Sequence, residues 1–277
     1  MDVYDAQITR NNPACFLFLI DQSASMDGTL PEGVSKAAGV ADATNKILSN
    51  LVIKCTKDEE LPRDYFHVGV VGYGGQVHSA FTGGLAGRDV VPISEIATNP
   101  DRVENRTKKI PDGAGGIIEQ NVPFAVWFDA TATGGTPMCE ALATAQRIVA
   151  GFINEHPDCF PPVVINITDG AATDGDPLPA AQAIREHASN NGAVLLFNLH
   201  LSDVGGATIE YPSSAVGLAD QYASKLFDMS SVLPEKMLAL AGNAGYEVAA
   251  GARGFAYNAN FESLVKFLEI GTVVADR

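Results

Sequence analysis

The segment CFLFLI at positions 15–20 is apolar at every position. An uninterrupted apolar run of this length is typical of a strand covered on both faces, as in a parallel sheet with helices on each side. Further short runs of β-branched or aromatic residues follow, and they alternate with segments of helical period. This alternation predicts an α/β fold with a doubly wound, mostly parallel sheet flanked by helices, in which residues 15–20 form a central strand.

The other elements are predicted from the same two patterns. Further strands are expected at 66–75, 76–81, 125–130, 161–170, 193–201 and 254–259. Helices are expected at about 32–52, 136–156, 178–189, 219–227, 234–241 and 261–272. Because the run at 76–81 follows the Gly74-Gly75 turn directly, it is predicted to return as one antiparallel edge strand.

The length of 277 residues suits one α/β domain, so residues 1–277 are predicted to form a single domain. The stretch at 82–123 is richer in Gly, Pro and charge and has no strong period. It is predicted to be a surface insertion in that domain.

The net charge limits the classes of partner. Lys and Arg number 18 against 33 Asp and Glu, which gives a formal net charge of -15. Such a surface repels nucleic acid phosphates and anionic lipids, so neither nucleic acid nor membrane partners are expected. The first residues lack a basic leader, and no stretch approaches the roughly 20 apolar residues that cross a bilayer. The four cysteines, which lack CxxC spacing, fit reduced thiols in a cytoplasmic protein: Cys15, Cys55, Cys139 and Cys159.

Oxygen-bearing side chains follow two predicted strands and begin one predicted helix. They are Asp21, Ser23 and Ser25 in DQSAS, Thr136 in GGTP, and Asp169 in TDG. The carboxyl ends of parallel strands share one sheet edge, so these segments can converge there. Hydroxyl and carboxylate oxygens suit a hard cation, with Mg²⁺ preferred and Mn²⁺ or Ca²⁺ as alternatives. The sequence therefore predicts a divalent-cation site at this edge.

Each motif alone has an ordinary explanation, because Ser, Thr and Asp also cap helices and form turns. It is their order, each at a strand end or helix start, that favours a metal site. Asp174 and Asp176 lie just beyond Asp169, where capping of the next helix is preferred over a role near the ion. No histidine pair has metal-binding spacing, and VGYGG lacks the Lys of a P-loop.

DQSASM, GGTPM and NITDG resemble, in order and separation, the three metal-binding loops of von Willebrand factor A domains with an intact metal-ion-dependent adhesion site. The resemblance implies that Ser23, Ser25 and Thr136 coordinate the ion directly or nearly so. It implies that Asp21 and Asp169 act directly or through water. The chain looks similar to intracellular bacterial members of the family, some of which accompany kinases, phosphatases or AAA ATPases.

The predicted function is a protein-protein interaction module, not an enzyme, whose bound ion accepts a Glu or Asp from a partner protein. Two alternatives stay open. One is a metal-dependent hydrolase, which lacks a recognisable base beside the motifs. The other is a scaffold whose ion only rigidifies the loops. Asp21→Ala and Asp169→Ala are expected to abolish metal binding and to leave the fold intact, since they relieve like-charge repulsion.

Overall fold

The computed structural model describes residues 4–31, 33–56, 61–111, 116–202, 207–218, 221–260, 263 and 266–267. The strands are β1 (Ala14–Asp21), β2 (Phe66–Tyr73), β3 (Val77–Ser79), β4 (Val91–Pro92), β5 (Arg102–Pro111), β6 (Ile117–Val126), β7 (Val163–Thr168), β8 (Ala188–Ser189), β9 (Gly192–Ala193), β10 (Leu195–Leu201), β11 (Ile209–Glu210) and β12 (Phe255–Ala259). The helices are α1 (Lys36–Cys55), α2 (Ile93–Thr98), α3 (Met138–Glu155), α4 (Leu178–Glu186), α5 (Gln221–Met229) and α6 (Glu235–Asn243).

The main sheet has the strand order β11-β12-β10-β7-β1-β2-β3, with β4 also paired to β2. Its five longest strands, from β12 to β2 in that order, are all parallel. The predicted α/β class with a mostly parallel sheet is confirmed. One antiparallel edge strand was expected, but antiparallel strands lie at both edges: β3 and β4 on one side, β11 on the other. β4 and β11 are two residues long, too short to produce an alternating pattern.

Strand β1 is buried along its whole length, as its apolar run predicts. Alternate side chains point to opposite faces of the sheet. Phe16 and Phe18 pack in the cluster that contains α1, whereas Leu17 and Leu19 pack in the cluster that contains α3. Each fully buried side chain of this size contributes about 1.5–3 kcal/mol to folding. The end of β1 is therefore held from both sides.

The order of connection creates a crevice at the carboxyl ends of β1 and β7. The chain passes from β1 to β2 on one side and later returns to place β7 on the other side of β1. Ile20 of β1 is in register with Ile167 of β7. Ligands of doubly wound sheets bind where the strand order reverses in this way.

Two predicted elements differ from the structure near α1. The predicted strand at 125–130 is wrong, because β6 ends at Val126. The Trp127 backbone amide donates to Asn45 Oδ1 at 2.9 Å, and Asn45 Nδ2 donates to the Phe128 carbonyl at 3.0 Å. A buried side chain thus supplies the hydrogen bonds that a neighbouring strand would make. Helix α1 begins at Lys36 and not near Glu32, which lies outside the described residues.

The predicted insertion at 82–123 has two parts. Leu85, Val91, Ile93 and Ile96 are buried in the core cluster, so the first part is not a surface excursion. The second part is β5 paired with β6, a two-stranded antiparallel ribbon outside the main sheet. We call β5 and β6 the ribbon.

Of the last four predicted helices, two can be compared with the structure only in part. The helix expected at 178–189 corresponds to α4, but α4 ends at Glu186 and Ala188–Ser189 form β8. The helix expected at 234–241 corresponds to α6. Residues 219–220 of the helix predicted at 219–227, and most of the closing helix predicted at 261–272, lie outside the described residues.

All four cysteines are free thiols, and Cys15, Cys55 and Cys159 are buried. Burial raises the pKa of the Cys139 and Cys159 thiols to about 11. Neither of these two thiols is therefore an activated thiolate. Within the described part of the chain, no helix is long and apolar enough to cross a membrane.

Candidate functional site at the carboxyl edge

Asp21 ends β1 and is fully buried at the crevice. Its Oδ1 accepts a hydrogen bond from the Ser23 amide at 2.8 Å, and its Oδ2 accepts one from Thr168 Oγ1 at 2.6 Å. Burial raises the pKa of Asp21 above its ordinary value, against the lowering effect of these hydrogen bonds. The two hydrogen bonds thus fix the orientation of the carboxylate: one comes from β7 and the other from the loop that follows β1.

A chain of three side chains joins the first loop to the end of β7. The Ser23 and Ser25 hydroxyl oxygens are 3.0 Å apart, and Ser25 Oγ donates to Asp169 Oδ1 at 2.7 Å. Because Ser25 gives its proton to Asp169, Ser23 donates to Ser25. Ser23 is buried and Ser25 is exposed, so the cluster opens to solvent on the Ser25 side.

The local fold explains why alternate residues of DQSAS face one point. Ser23 precedes a 3₁₀ turn over Ala24–Asp27, and its carbonyl accepts from the Met26 amide at 3.0 Å. Met26 is fully buried and anchors this turn in the core. The chain bends sharply after the strand, which leaves the two serine hydroxyls on the side of Asp169.

The segment that carries Thr136 is tied to the other two segments through its backbone. The Thr133 amide donates to the Gln22 carbonyl at 2.6 Å, and the Ala24 amide donates to the Gly134 carbonyl at 3.1 Å. On its other side, the Thr136 amide donates to Thr173 Oγ1 at 2.9 Å, and the Thr173 amide returns a bond to the Thr136 carbonyl at 2.9 Å. Thr136 is buried where the three segments meet.

Two glycines permit this close approach. Gly134 has φ of +78°, and a Cβ there would lie 2.6 Å from the backbone of Gly75. A Cβ on Gly74 would lie 2.5 Å from the Gln22 carbonyl oxygen. Real side chains do not fit such distances, so the glycines of VGYGG and GGTP allow neighbouring backbones to pack together.

A lysine that the sequence reasoning missed completes the cluster. Lys36 Nζ lies 3.0 Å from Asp169 Oδ2, and the two side chains are only 5% and 1% exposed. Thr168 was also missed as a separate contributor. Both have a weak signal in the sequence: Lys36 begins a helix, where a lysine usually faces solvent, and Thr168 belongs to an apolar strand.

The two aspartates beyond Asp169 act as helix caps. Asp176 Oδ1 accepts from the Leu178 amide at 3.3 Å, at the start of α4, as expected. Asp174 differs from the expectation, because its two oxygens accept from the Cys139 and Glu140 amides at 3.1 and 3.0 Å. It therefore caps the preceding helix, α3, which holds the Thr136 segment against the third loop.

The donor set is suitable for a small hard cation. Within the described residues, no group of three or more His, Cys, Asp or Glu is placed to hold a metal ion, so hydroxyl ligands would be needed. The oxygen separations of 3.0 and 2.7 Å along Ser23, Ser25 and Asp169 are hydrogen-bond distances. They also match the edge of about 2.9 Å in an octahedron of oxygens around Mg²⁺.

A cavity adjoins this cluster beside Asp169. Gly170 and Ala171 line it together with Met138, Leu226 and Met229. The recess thus begins at the residues that follow Asp169, and its mostly apolar lining also includes Tyr222 and Lys225.

No family model and no curated protein matches the chain. Among solved structures, it is similar to proximal thread matrix protein 1 (PTMP1) from the mussel byssus, with 13% identity and a TM-score of 0.49, over 98% of this chain and 49% of that one. It is also similar to the manganese-loaded Plasmodium vivax TRAP protein, with 13% identity and a TM-score of 0.45, over 94% of this chain and 74% of that one. For the pilus adhesin RrgA from Streptococcus pneumoniae, the identity is 15% and the TM-score 0.33, over 61% of this chain and 22% of that one. The chain thus spans about half the length of the mussel protein. At this level of identity the likeness concerns the path of the chain and carries no information on activity.

Proposed function

We propose that the chain is a protein-binding module, not an enzyme, that holds one divalent cation at the crevice between β1 and β7. Asp21, Ser23, Ser25, Thr136 and Asp169 form its metal site. An acidic side chain of a partner protein completes the coordination of the ion. The resemblance of DQSASM, GGTPM and NITDG to the metal-binding loops of von Willebrand factor A domains supports this function.

The observation that carries the proposal is the contact between Ser25 and Asp169. These residues are 144 positions apart in the chain, and their side-chain oxygens meet at 2.7 Å. Ser23 extends the same row of oxygens. Turns and helix caps explain each motif separately. They give no reason for the side-chain oxygens of Ser23, Ser25 and Asp169, which come from two of the three motifs, to lie in one row.

The ion we propose is Mg²⁺ or Mn²⁺, with Ca²⁺ as the alternative, because two carboxylates and three hydroxyls offer less charge than a typical calcium loop. Magnesium takes six oxygens in near-octahedral geometry. Five side chains contribute, and Asp21 already directs both oxygens to Ser23 and Thr168. At least one position is therefore left for an outside oxygen, on the side where Ser25 is exposed.

The partner class follows from charge. The formal net charge of -15 discourages an acidic partner at long range, and the ion reverses that sign locally. A Glu or Asp of a partner can then bind the ion, while the recess formed by Gly170, Ala171 and Met138 accepts a neighbouring apolar side chain. A cytoplasmic kinase, phosphatase or AAA ATPase system is the setting we propose. Nucleic acid and membrane are not proposed as partners.

The open position can be tested without knowing the partner. We expect Mn²⁺ bound to the full chain to accelerate the relaxation of water protons, because water occupies the open position. Acetate, as a mimic of a partner carboxylate, should then reduce this relaxation by displacing the water. A scaffold ion with no open position would give low relaxation that acetate does not change, and this result would contradict the proposal.

The partner contact is tested by affinity capture from cell extract, read by mass spectrometry, in Mg²⁺ and in chelator. We expect specific partners to be lost in chelator. Thr136→Ala should weaken capture more than metal binding, since both carboxylates remain. If capture by Thr136→Ala is unchanged and equally sensitive to chelator, Thr136 does not belong to the site.

A further inference from the structure

We propose that Lys36 is a built-in counter-ion of this site, which neutralises Asp169 when no divalent cation is bound and lowers the affinity for that cation. The inference rests on the proposed metal site and assigns a residue that controls it. Its basis is the buried pair in which Lys36 Nζ lies 3.0 Å from Asp169 Oδ2. The two residues are 133 positions apart, so the fold, not local sequence, brings them together.

The placement of Lys36 is unfavourable unless the carboxylates offset it. Lys36 is the first residue of α1, directly after the N-cap Ser35. The positive end of the helix dipole lies there and disfavours a cation. Its side chain is only 5% exposed, and removal of an ammonium group from water costs several kcal/mol unless a partner charge compensates.

The two oxygens of Asp169 are divided between different neighbours. Oδ1 faces the Ser25 hydroxyl, and Oδ2 faces Lys36. A cation that joins the serine side must therefore share this carboxylate with the ammonium group. Lys36 thus competes with an ion for the charge of Asp169, whose Oδ1 is the oxygen on the serine side.

The charge balance gives the direction of the effect. The formal charges of Asp21, Asp169 and Lys36 sum to one net negative charge, and a divalent cation brings that sum to one net positive charge. Without Lys36 the occupied cluster would be neutral. A divalent cation and an ammonium group that share one carboxylate repel each other. Even at the dielectric constant of water, this repulsion weakens the binding of the divalent cation by roughly tenfold.

The test compares Lys36→Met with Lys46→Met in the full chain. Lys46 lies on the same helix with an exposed side chain, so its removal changes the net charge equally without touching the cluster. Calorimetric titration with Mg²⁺ should show binding at least about tenfold tighter for Lys36→Met than for wild type and for Lys46→Met. In chelator, Lys36→Met should melt below wild type, because Asp169 loses its partner charge. Mg²⁺ should restore most of that loss.

The outcomes separate the two proposals. If wild type binds Mg²⁺ and Lys36→Met binds no more tightly, or if Lys46→Met gains as much, the role of Lys36 is overturned and the metal site stands. If neither wild type nor Lys36→Met binds Mg²⁺ saturably, the metal site fails and the counter-ion role fails with it.

A measurement on the unmodified protein covers the case in which Lys36→Met does not fold. The side-chain nitrogen resonance of Lys36 should shift on addition of Mg²⁺, with a midpoint equal to the calorimetric one. A Lys36 resonance that stays unchanged while the protein binds Mg²⁺ would overturn the proposal.

Discussion

The carboxyl edge and the ribbon both contain short ion pairs, but these pairs differ in their exposure to solvent. At the edge, Lys36 and Asp169 are 5% and 1% exposed. At the ribbon, Arg102 Nη2 of β5 lies 2.6 Å from Oδ1 of Asp129, which follows β6, and these side chains are 42% and 53% exposed. Arg102 also reaches Glu104 at 2.8 Å, two residues away on the same strand.

The difference shows that ion-pair distance does not measure the contribution of a pair to stability. Exposed pairs are screened by water and pay entropy to hold two long side chains in place. In a buried pair, each charge depends on the other, because loss of one member leaves the remaining charge buried without compensation. The edge pair should therefore be sensitive to single substitutions, and the ribbon pair should tolerate them. Three substitutions test this contrast.

The largest expected effect is that of Asp169→Ala, which removes the carboxylate that lies 3.0 Å from the buried Lys36 ammonium. We expect a loss of about 3–5 kcal/mol in the free energy of unfolding, measured by urea denaturation. Mg²⁺ should not restore it, since the variant lacks a ligand. This result differs from the expectation based on sequence alone, in which removal of a carboxylate only relieves repulsion.

The double variant Lys36→Met with Asp169→Ala is the control for this interpretation. It removes both charges, so it should be more stable than Asp169→Ala alone. If the double variant is less stable than Asp169→Ala by the full effect of Lys36→Met, the two residues act independently and the contrast with the ribbon fails.

An intermediate effect is expected for Thr168→Val, which keeps the shape of the side chain. The variant removes the hydroxyl that donates to Asp21 Oδ2 at 2.6 Å, and it leaves a buried carboxylate oxygen without that donor. We expect a loss of about 1–3 kcal/mol in the free energy of unfolding, by the same denaturation assay. Unchanged stability would mean that Asp21 gains no net stabilisation from Thr168.

The smallest effect is expected for Arg102→Ala in the ribbon. Its pairs with Asp129 and Glu104 are exposed, so we expect an unfolding midpoint within experimental scatter of wild type at physiological salt. A loss comparable to that of Thr168→Val would show that the ribbon depends on this arginine, and it would remove the contrast between the two regions.

The sequence predicted the parts of the molecule that depend on local pattern. The apolar run in β1 and the helical period of α3 are visible in the residues themselves. The meeting of Asp21 and Asp169 could also be predicted, since parallel strands end at one edge. The ribbon could not, because its half-buried face includes the charged residues Glu104 and Arg106, so β5 lacks the apolar alternation of a half-buried strand.

The parts of the site that were missed depend on tertiary placement. Lys36 lies 15 residues beyond Asp21, and only the path of the 3₁₀ turn and the start of α1 direct its side chain into the crevice. The apolar residues around Trp127 and Phe128 suggest a strand, but the Asn45 side chain forms hydrogen bonds with the backbone of these two residues. Neither arrangement has a period that can be recognised along the chain.

The most direct test of the metal site is a calorimetric titration of the full chain with Mg²⁺, beside a variant with both Ser23→Ala and Ser25→Ala. The variant keeps Asp21, Asp169 and Lys36, so the charge of the cluster is unchanged and only the hydroxyl ligands are lost. We predict one saturable Mg²⁺ per wild-type chain and binding at least about tenfold weaker in the variant, as expected when ligand oxygens are removed from an octahedral ion. No saturable binding by wild type, or equal binding by both proteins, would contradict the account.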